Sequence, residues 1–432
     1  MVERFNEDFI ETRRRALHRF LNKIAEHPIF SSSEDFKIFL TDTTLTDGSS
    51  FNASMQTSPA SMINQYKFEE DADTKDIFVT VDNPESHVTA IETYITYRVM
   101  TKTTRSEFDS SEFEVRRRYQ DFLWLKGRLE EAHPTLIVHP LPEKFVVKGM
   151  VERFNEDFIE TRRRALHRFL NKIAEHPIFS SSEDFKIFLT AASGELTSHK
   201  KQGPGFLSRM GDTVKAVAAA VRGVRNRPQE FTEMQEYVEA FSQKISSLDK
   251  VTQRIVREQK EYLEELKECG PTYALWSQSE EELAEPLKNV AGCVDRCCKE
   301  TEEQVKNLSD QLIPVLHEYV LCADTLKAVL RRRDNIQADF EAKTEALATK
   351  KADRDTMRDD LDKAEDRLEW ANNALKSDWT RWQKVMRTDL RSAFVDTAER
   401  NVSYYEKCLA VWESFLHSQR TDAEGNGKVD FS

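Results

Sequence analysis

Glycine and proline are scarce, with twelve of each in 432 residues. So few turn formers suit long helices better than the many short connections of a compact α/β enzyme. Charged residues make up 32% of the chain against 39% hydrophobic, which again fits solvated helices. A bilayer span is missing as well. The longest purely apolar run covers 216–221, far short of the roughly 20 residues a spanning helix needs. There is no cationic excess: 63 Lys and Arg face 76 Asp and Glu, for a net charge of −13. That balance argues against a nucleic-acid partner, although local basic patches can still meet a membrane surface. The six cysteines (269, 293, 297, 298, 322 and 408) contain no CxxC pair, so neither a zinc knuckle nor a thioredoxin-like motif is indicated. Cys293 and Cys297 share a helix face, but no histidine or carboxylate set completes a metal site. Free thiols in a reducing compartment are expected, with no metal and no cofactor. P-loop, HExxH and GxSxG patterns are absent too, so no enzyme is expected. With no leader-like segment, the expected location is cytoplasmic.

What the chain does contain begins with a repeat. Residues 1–41 recur without a change at 150–190. An old structural repeat keeps its core and lets its surface drift, whereas here even the solvated positions match. The copied segment predicts a helix over 154–174 and a second over 183–189. Phe158, Leu166, Phe169, Leu170 and Ile173 form its apolar face. Only the second copy follows strands on which that face can pack. Residues 150–190 are therefore expected in the fold, with 1–41 redundant and 42–75 a polar, disordered linker.

From Asp76 the pattern changes. IFVTV (77–81), TAIETYITYRVMT (89–101) and SEFEVRRR (111–118) are β-branched, aromatic and alternating. The first two are separated by the turn-forming Asp82-Asn83-Pro84-Glu85-Ser86. Helical spacing follows in Phe122, Leu125 and Leu129, so Arg116, Arg117 and Arg118 sit where a strand hands over to a helix. Clustered guanidinium forks suit a multiply charged phosphate, and the Tyr119 ring offers a face for a sugar-like ring. Downstream, Pro140 and Pro142 stiffen the approach to Lys144. A plain basic turn ahead of a core helix accounts for the same cluster, because short basic clusters are weak motifs.

The stretch RRRYQDFLWL, with HPLPEK after it, resembles the signature of the PX phosphoinositide-binding domain. The resemblance implies an α+β fold at 76–190, a three-stranded antiparallel sheet plus helices. It further implies that Arg118 grips the 3-phosphate of phosphatidylinositol 3-phosphate, that Tyr119 lies under the inositol ring, that Lys144 meets the 1-phosphate and that Arg162 donates to ring hydroxyls. His139 stands where that family usually has another proline, which implies a slightly less rigid loop.

Residues 191–204 read as a linker. Over 205–228, Phe206, Met210, Val214, Val217 and Val221 recur every three or four residues between Arg209, Lys215, Arg222, Arg225 and Arg227. That arrangement suits an amphipathic helix lying in a membrane interface, or else a helix packed on a neighbouring domain. Beyond it, sustained periodicity predicts helices at 230–268, 278–350 and 361–418, the middle one bent near Pro314. Arg331, Arg332, Arg333, Lys350, Lys351, Arg354 and Arg358 offer charge to anionic lipid.

Three long helices at 229–420, after a PX domain and a basic amphipathic helix, resemble the all-α elongated BAR domain of the PX-BAR sorting nexins. LKAVLRRRDNIQADFEAK (326–343), WANNALKSDWTRWQ (370–383) and YYEKCLAVWESFL (404–416) look like the branch of sorting nexins four, seven and thirty. The resemblance implies a BAR dimer, with itself or with sorting nexin four. It implies endosomal membrane remodelling, cargo sorting and recycling on early endosomes, and a link to autophagy, with a disordered tail at 421–432. The alternative is a helical scaffold whose PX domain binds protein rather than lipid.

Overall fold

The computed structural model describes residues 76–89, 92–143, 155–202, 224–349 and 354–425. The duplicate at 1–41 and the stretch 42–75 lie outside them. Strands β1 (Ile77–Val88), β2 (Thr93–Thr103) and β3 (Glu112–Arg118) form one antiparallel sheet in that order. The register pairs Val81 with Val99 and Val99 with Val115. Alternation then puts Ile77, Val79, Val81, Tyr97 and Val99 on one buried face. Two helices cover it: α1 (Tyr119–Ala132) through Phe122, Leu125 and Leu129, and α2 (Glu156–Ala174) through Leu166, Phe169, Leu170 and Ile173. Phe122 meets Phe169 and, from the short helix α3 (Glu183–Thr190), Phe188, both edge-on. A fully buried phenylalanine or leucine contributes about 1.5–3 kcal/mol, so this small core depends on α2 and α3. Residues 155–190 therefore sit directly on the strands they follow. Phe158, grouped with the core face by periodicity, lies instead at the helix start beside Arg162.

Two local expectations change. The turn formers at 82–86 do not reverse the chain. They make a bulge between Asp82 and Glu85 with Asn83 at φ 42°, and β1 runs on to Val88. Asparagine tolerates that left-handed conformation, and a bulge absorbs the Pro84 that a regular ladder cannot hold. The expected linker at 191–204 carries a helix, α4 (Ser193–Gln202). It is docked by Leu196, 2% exposed, and by a Lys200–Asp121 ion pair, contacts that its polar sequence did not announce.

The rest is long helices. These are α5 (Gln229–Trp276), α6 (Ala284–Asn307), α7 (Ile313–Thr349) and α8 (Arg354–Gly425). At 1.5 Å per residue the 48-residue α5 is about 72 Å long and the 72-residue α8 about 108 Å. Helix α5 runs past Pro271, beyond the expected stop at 268, because its last turns pack through Leu263, Leu266 and Tyr273 on Val294 and Cys298. The predicted single helix over 278–350 is two, joined by a π turn at Leu308–Leu312 in which the Ile313 N–H reaches back to the Leu308 carbonyl. The wider turn falls just before Pro314, whose ring would otherwise crowd the carbonyl four residues back. The rod core joins Phe231, Val238 and Ile245 of α5, Leu316, Tyr319 and Leu326 of α7, and Leu375, Trp379 and Trp382 of α8. Among the described residues no helix is long and apolar enough to cross a membrane. All six cysteines are free thiols, four of them buried.

Candidate functional site

Alternation along β3 divides the three arginines of the junction. Arg117 points inward and is fully buried. It donates from Nε to the Phe188 carbonyl at 2.8 Å and from Nη2 to the Ala191 carbonyl at 2.5 Å. Burial pulls its pKa down to about 10. It ties the end of α3 to the sheet, with its guanidinium turned away from solvent. Arg116 and Arg118 share the other face. Arg116 is spent on the Asn83 carbonyl at 2.7 Å, the Thr96 hydroxyl at 2.9 Å and Glu85 at 2.9 Å. Arg118 is left as the arginine of this junction that is open to solvent.

Its backbone is fixed by Asp121, whose carboxylate accepts the Arg118 N–H at 2.7 Å and so caps α1. The aspartate of the RRYQDF stretch thus sets the junction, and its phenylalanine sets the core. The Arg118 side chain, 41% exposed, lies over the Tyr94 ring at 3.2 Å from the centroid and donates to Glu92 at 2.6 Å.

Tyr119, half-buried, donates its hydroxyl to the Pro142 carbonyl at 2.5 Å. Arg162 of α2 sits 4.4 Å over the Tyr119 ring and 4.4 Å over Phe158, and donates to the Glu143 carbonyl at 3.2 Å. Burial lowers the Arg162 pKa and raises that of the Tyr119 phenol. The Arg162 Nε–H is buried with no partner among the described residues, a donor left for something else to meet. Of the four residues expected at the lipid, the structure stacks Arg162 on Tyr119, sets Arg118, the neighbour of Tyr119 in sequence, against Tyr94 and Glu92, and anchors the chain at Pro142 and Glu143, immediately before the fourth. Lys144 itself lies outside the described residues, as do Phe206, Met210, Val214, Val217 and Val221 of the predicted interfacial helix. At the described end of that bridge, Arg227 pairs with Asp334 and the Arg225 and Asn226 amides bond Glu341, so this end packs on α7.

The loop leading to the site is also fastened to the rod. His139 lies 2.8 Å from Glu318 of α7, and Arg168 of α2 donates to the same carboxylate at 2.5 Å. Burial works against the Glu318 charge, yet His139 and Arg168 hold its pKa down to about 2. The histidine that departs from the proline pattern is therefore pinned rather than loose. Nearby, the buried Asp378 of α8 accepts the Ile137 N–H at 2.6 Å, Arg381 Nε at 2.6 Å and His176 Nε2 at 3.1 Å. His176 Nδ1 accepts two backbone N–H groups, from Ile178 and Phe179. Its proton must then sit on Nε2 and the ring is neutral, in keeping with a pKa that burial lowers.

Two of the basic residues expected to meet lipid from the rod do other work. Arg333 is buried over Phe231 at 3.9 Å, and Arg332 donates to the Pro134 carbonyl at 2.8 Å. Lys350 and Lys351 lie outside the described residues. Glu92, Tyr94 and Phe158 escaped the sequence reading. Register carries the signal for Tyr94: Thr96 pairs with Arg118, which leaves Tyr94 diagonal to Arg118 on the same face.

The PX domain family profile matches residues 1–43 and 105–192, taking in both copies of the repeat, and a profile described as Vps5 C terminal like matches 207–388. Sorting nexin-7 of Homo sapiens is 64% identical over 373 residues, covering 86% of this chain and 96% of that protein. Sorting nexin-30 of Homo sapiens is 48% identical over 371 residues, or 85% and 84%. A more distant relative, sorting nexin-4 of Candida glabrata, is 23% identical over 381 residues, or 76% and 88%. The cryo-EM structure of the SNX-BAR Mvp1 tetramer aligns with a TM-score of 0.52 at 17% identity, covering 78% of this chain and 99% of that one, and shares the fold.

Proposed function

Because the chain belongs to the sorting nexins that join a PX domain to a BAR-like helical region, we propose that it reads phosphatidylinositol 3-phosphate on endosomal membrane and dimerises through its rod. Proteins of this kind are membrane-associated trafficking adaptors, generally without catalysis. The observation that carries the lipid reading is a solvent-open Arg118 at the strand-to-helix junction, next in sequence to Tyr119, whose ring Arg162 covers. One arginine is open to solvent, one ring is half-buried, and the half-buried Arg162 has a buried Nε–H with no partner among the described residues. A phosphate on Arg118 and ring hydroxyls near Arg162 would use these groups, with Lys144 meeting the second phosphate. The relatives support the same reading at the level of the family.

The rod supports dimerisation. Val402, Tyr405, Leu409, Trp412 and Leu416 of α8 are exposed at alternating steps of three and four, and Leu248, Val251, Ile255 and Tyr262 are exposed along α5. Such a stripe marks an interaction surface, and this spacing is that of a coiled-coil seam. A second copy or sorting nexin four is the proposed partner. Two modest lipid sites on one dimer act together through effective concentration, which suits cargo recycling from early endosomes and autophagy.

The test is co-sedimentation of the full chain with liposomes that contain or lack phosphatidylinositol 3-phosphate, beside Arg118→Ala. Loss of a charge-assisted contact costs about 2–3 kcal/mol, so the lipid-dependent fraction should nearly vanish. Wild-type binding that ignores the lipid, with the dimer intact, would favour the protein-binding scaffold.

A further inference from the structure

The acids of β1 and of the turn after it line up against the arginines of the open sheet face. Asp82 takes Arg98 at 2.7 Å, Glu85 takes Arg116 at 2.9 Å and Glu92 takes Arg118 at 2.6 Å. The first two pairs lock the sheet and its bulge. The third occupies the guanidinium that the phosphate needs. Glu92 is tied to Thr89 through its backbone. Its backbone N–H donates to the Thr89 hydroxyl at 3.1 Å, and its carbonyl accepts from the Thr89 N–H at 3.0 Å and hydroxyl at 2.8 Å. Tyr94, two residues on, supports the other side of the same guanidinium. Arg118 is thus held between a carboxylate on a hydrogen-bonded backbone and a ring face.

We propose that Glu92 is a resident competitor for Arg118 that sets the affinity of the lipid site. The inference rests on the reading of Arg118 as the phosphate contact. Glu92 holds Nη1 and offsets the charge of the guanidinium, so an incoming phosphate competes with it for that charge and for Nη1, and the free energy of that exposed pair is subtracted from binding. A phosphomonoester, with a charge of about −1.5 to −2 and three acceptor oxygens, outbids a single carboxylate. The Glu92 side chain, 55% exposed, then swings into water. The effect is to hold the single site at modest affinity, so that stable attachment needs a second contact from the same assembly.

The experiment is a double-mutant cycle on the full chain, using Glu92→Gln, Arg118→Ala and the pair of substitutions together. Co-sedimentation is measured with phosphatidylcholine vesicles carrying phosphatidylinositol 3-phosphate. Gln keeps the shape and removes the charge. Glu92→Gln should bind about two- to fivefold tighter than wild type, the range expected of an exposed ion pair. In the Arg118→Ala background the same change should move residual binding less than twofold. A gain of equal size in both backgrounds would make Glu92 a general repellent of the membrane and overturn the proposal. No gain in the wild-type background, with Arg118→Ala still defective, would overturn it and leave the lipid reading intact. Binding by Arg118→Ala at the wild-type level would remove both. A parallel spin without vesicles separates binding from aggregation, and a loss of fold lowers lipid-dependent binding rather than raising it.

Discussion

Asp378→Asn tests whether the small domain and the rod form one unit. The carboxylate is fully buried, and its Oδ2 accepts the Ile137 N–H while Oδ1 accepts His176 Nε2 and Arg381 Nε. The carboxylate pKa lies at about 2: burial opposes the charge, while Arg381, His176 and the Ile137 amide favour it. In the asparagine variant the amide oxygen can serve His176 and Arg381, but the NH₂ then faces the Ile137 N–H. A buried donor without an acceptor costs about 1–3 kcal/mol. The two remaining bonds lose their charge assistance, at about half their strength each. The sum is about 3 kcal/mol, on the order of a hundredfold in a local opening equilibrium. Hydrogen exchange on the full chain reads this directly, because sub-global openings report region by region. Peptides spanning 134–142 and 174–181 should exchange about a hundredfold faster, whereas those within 93–103 should not change. A change below about threefold in the first two would refute the account of the seam.

Other tests follow from the same contacts. Arg117→Met, which strands the Phe188 and Ala191 carbonyls, should lower the unfolding free energy of the small domain by about 3 kcal/mol. Arg118→Ala should leave that free energy within about 0.5 kcal/mol while removing lipid binding; equal effects on stability would contradict the division of labour along β3. His139→Pro, which removes the contact with Glu318, should weaken binding to vesicles carrying phosphatidylinositol 3-phosphate by about three- to tenfold, the range of one ordinary hydrogen bond. Dimerisation should be unchanged, and unchanged lipid affinity would sink the positioning role. Acid should loosen the seam in two stages. The fold holds His176 neutral and depresses its pKa below 6.5, so stability falls once the pH drops below that value, where the unfolded chain takes a proton that the folded one refuses. Glu318 and Asp378, with ordinary values of 4.5 and 3.8 held down to about 2, add stability above those ordinary values and lose it as pH falls towards 2. Urea midpoints followed by tryptophan fluorescence against pH should show both stages, and His176→Gln should remove the first.

Local pattern alone gave the three strands, the long helices and the family. Period-two alternation announced a small antiparallel sheet, and sustained three-four spacing announced the long helices, because those periods are properties of the local backbone. RRYQDF was legible because its residues serve one local junction: Asp121 caps the helix that Phe122 anchors, and Arg118 stands at its mouth. Only the tertiary structure decided which arginine does what. Arg117 and Arg118 are alike in sequence, but pleating buries one against the end of α3 and opens the other to solvent, and Glu92 and Tyr94 reach it through strand register. Pairings across long separations left no local trace either. Ile137 meets Asp378, and His139 meets Glu318, because a carboxylate on a long helix reads as a solvated charge until another surface covers it. The helix α4 within a polar stretch, and the run of α5 through Pro271, have the same cause. Packing overrode the local preference, and packing depends on what else comes near.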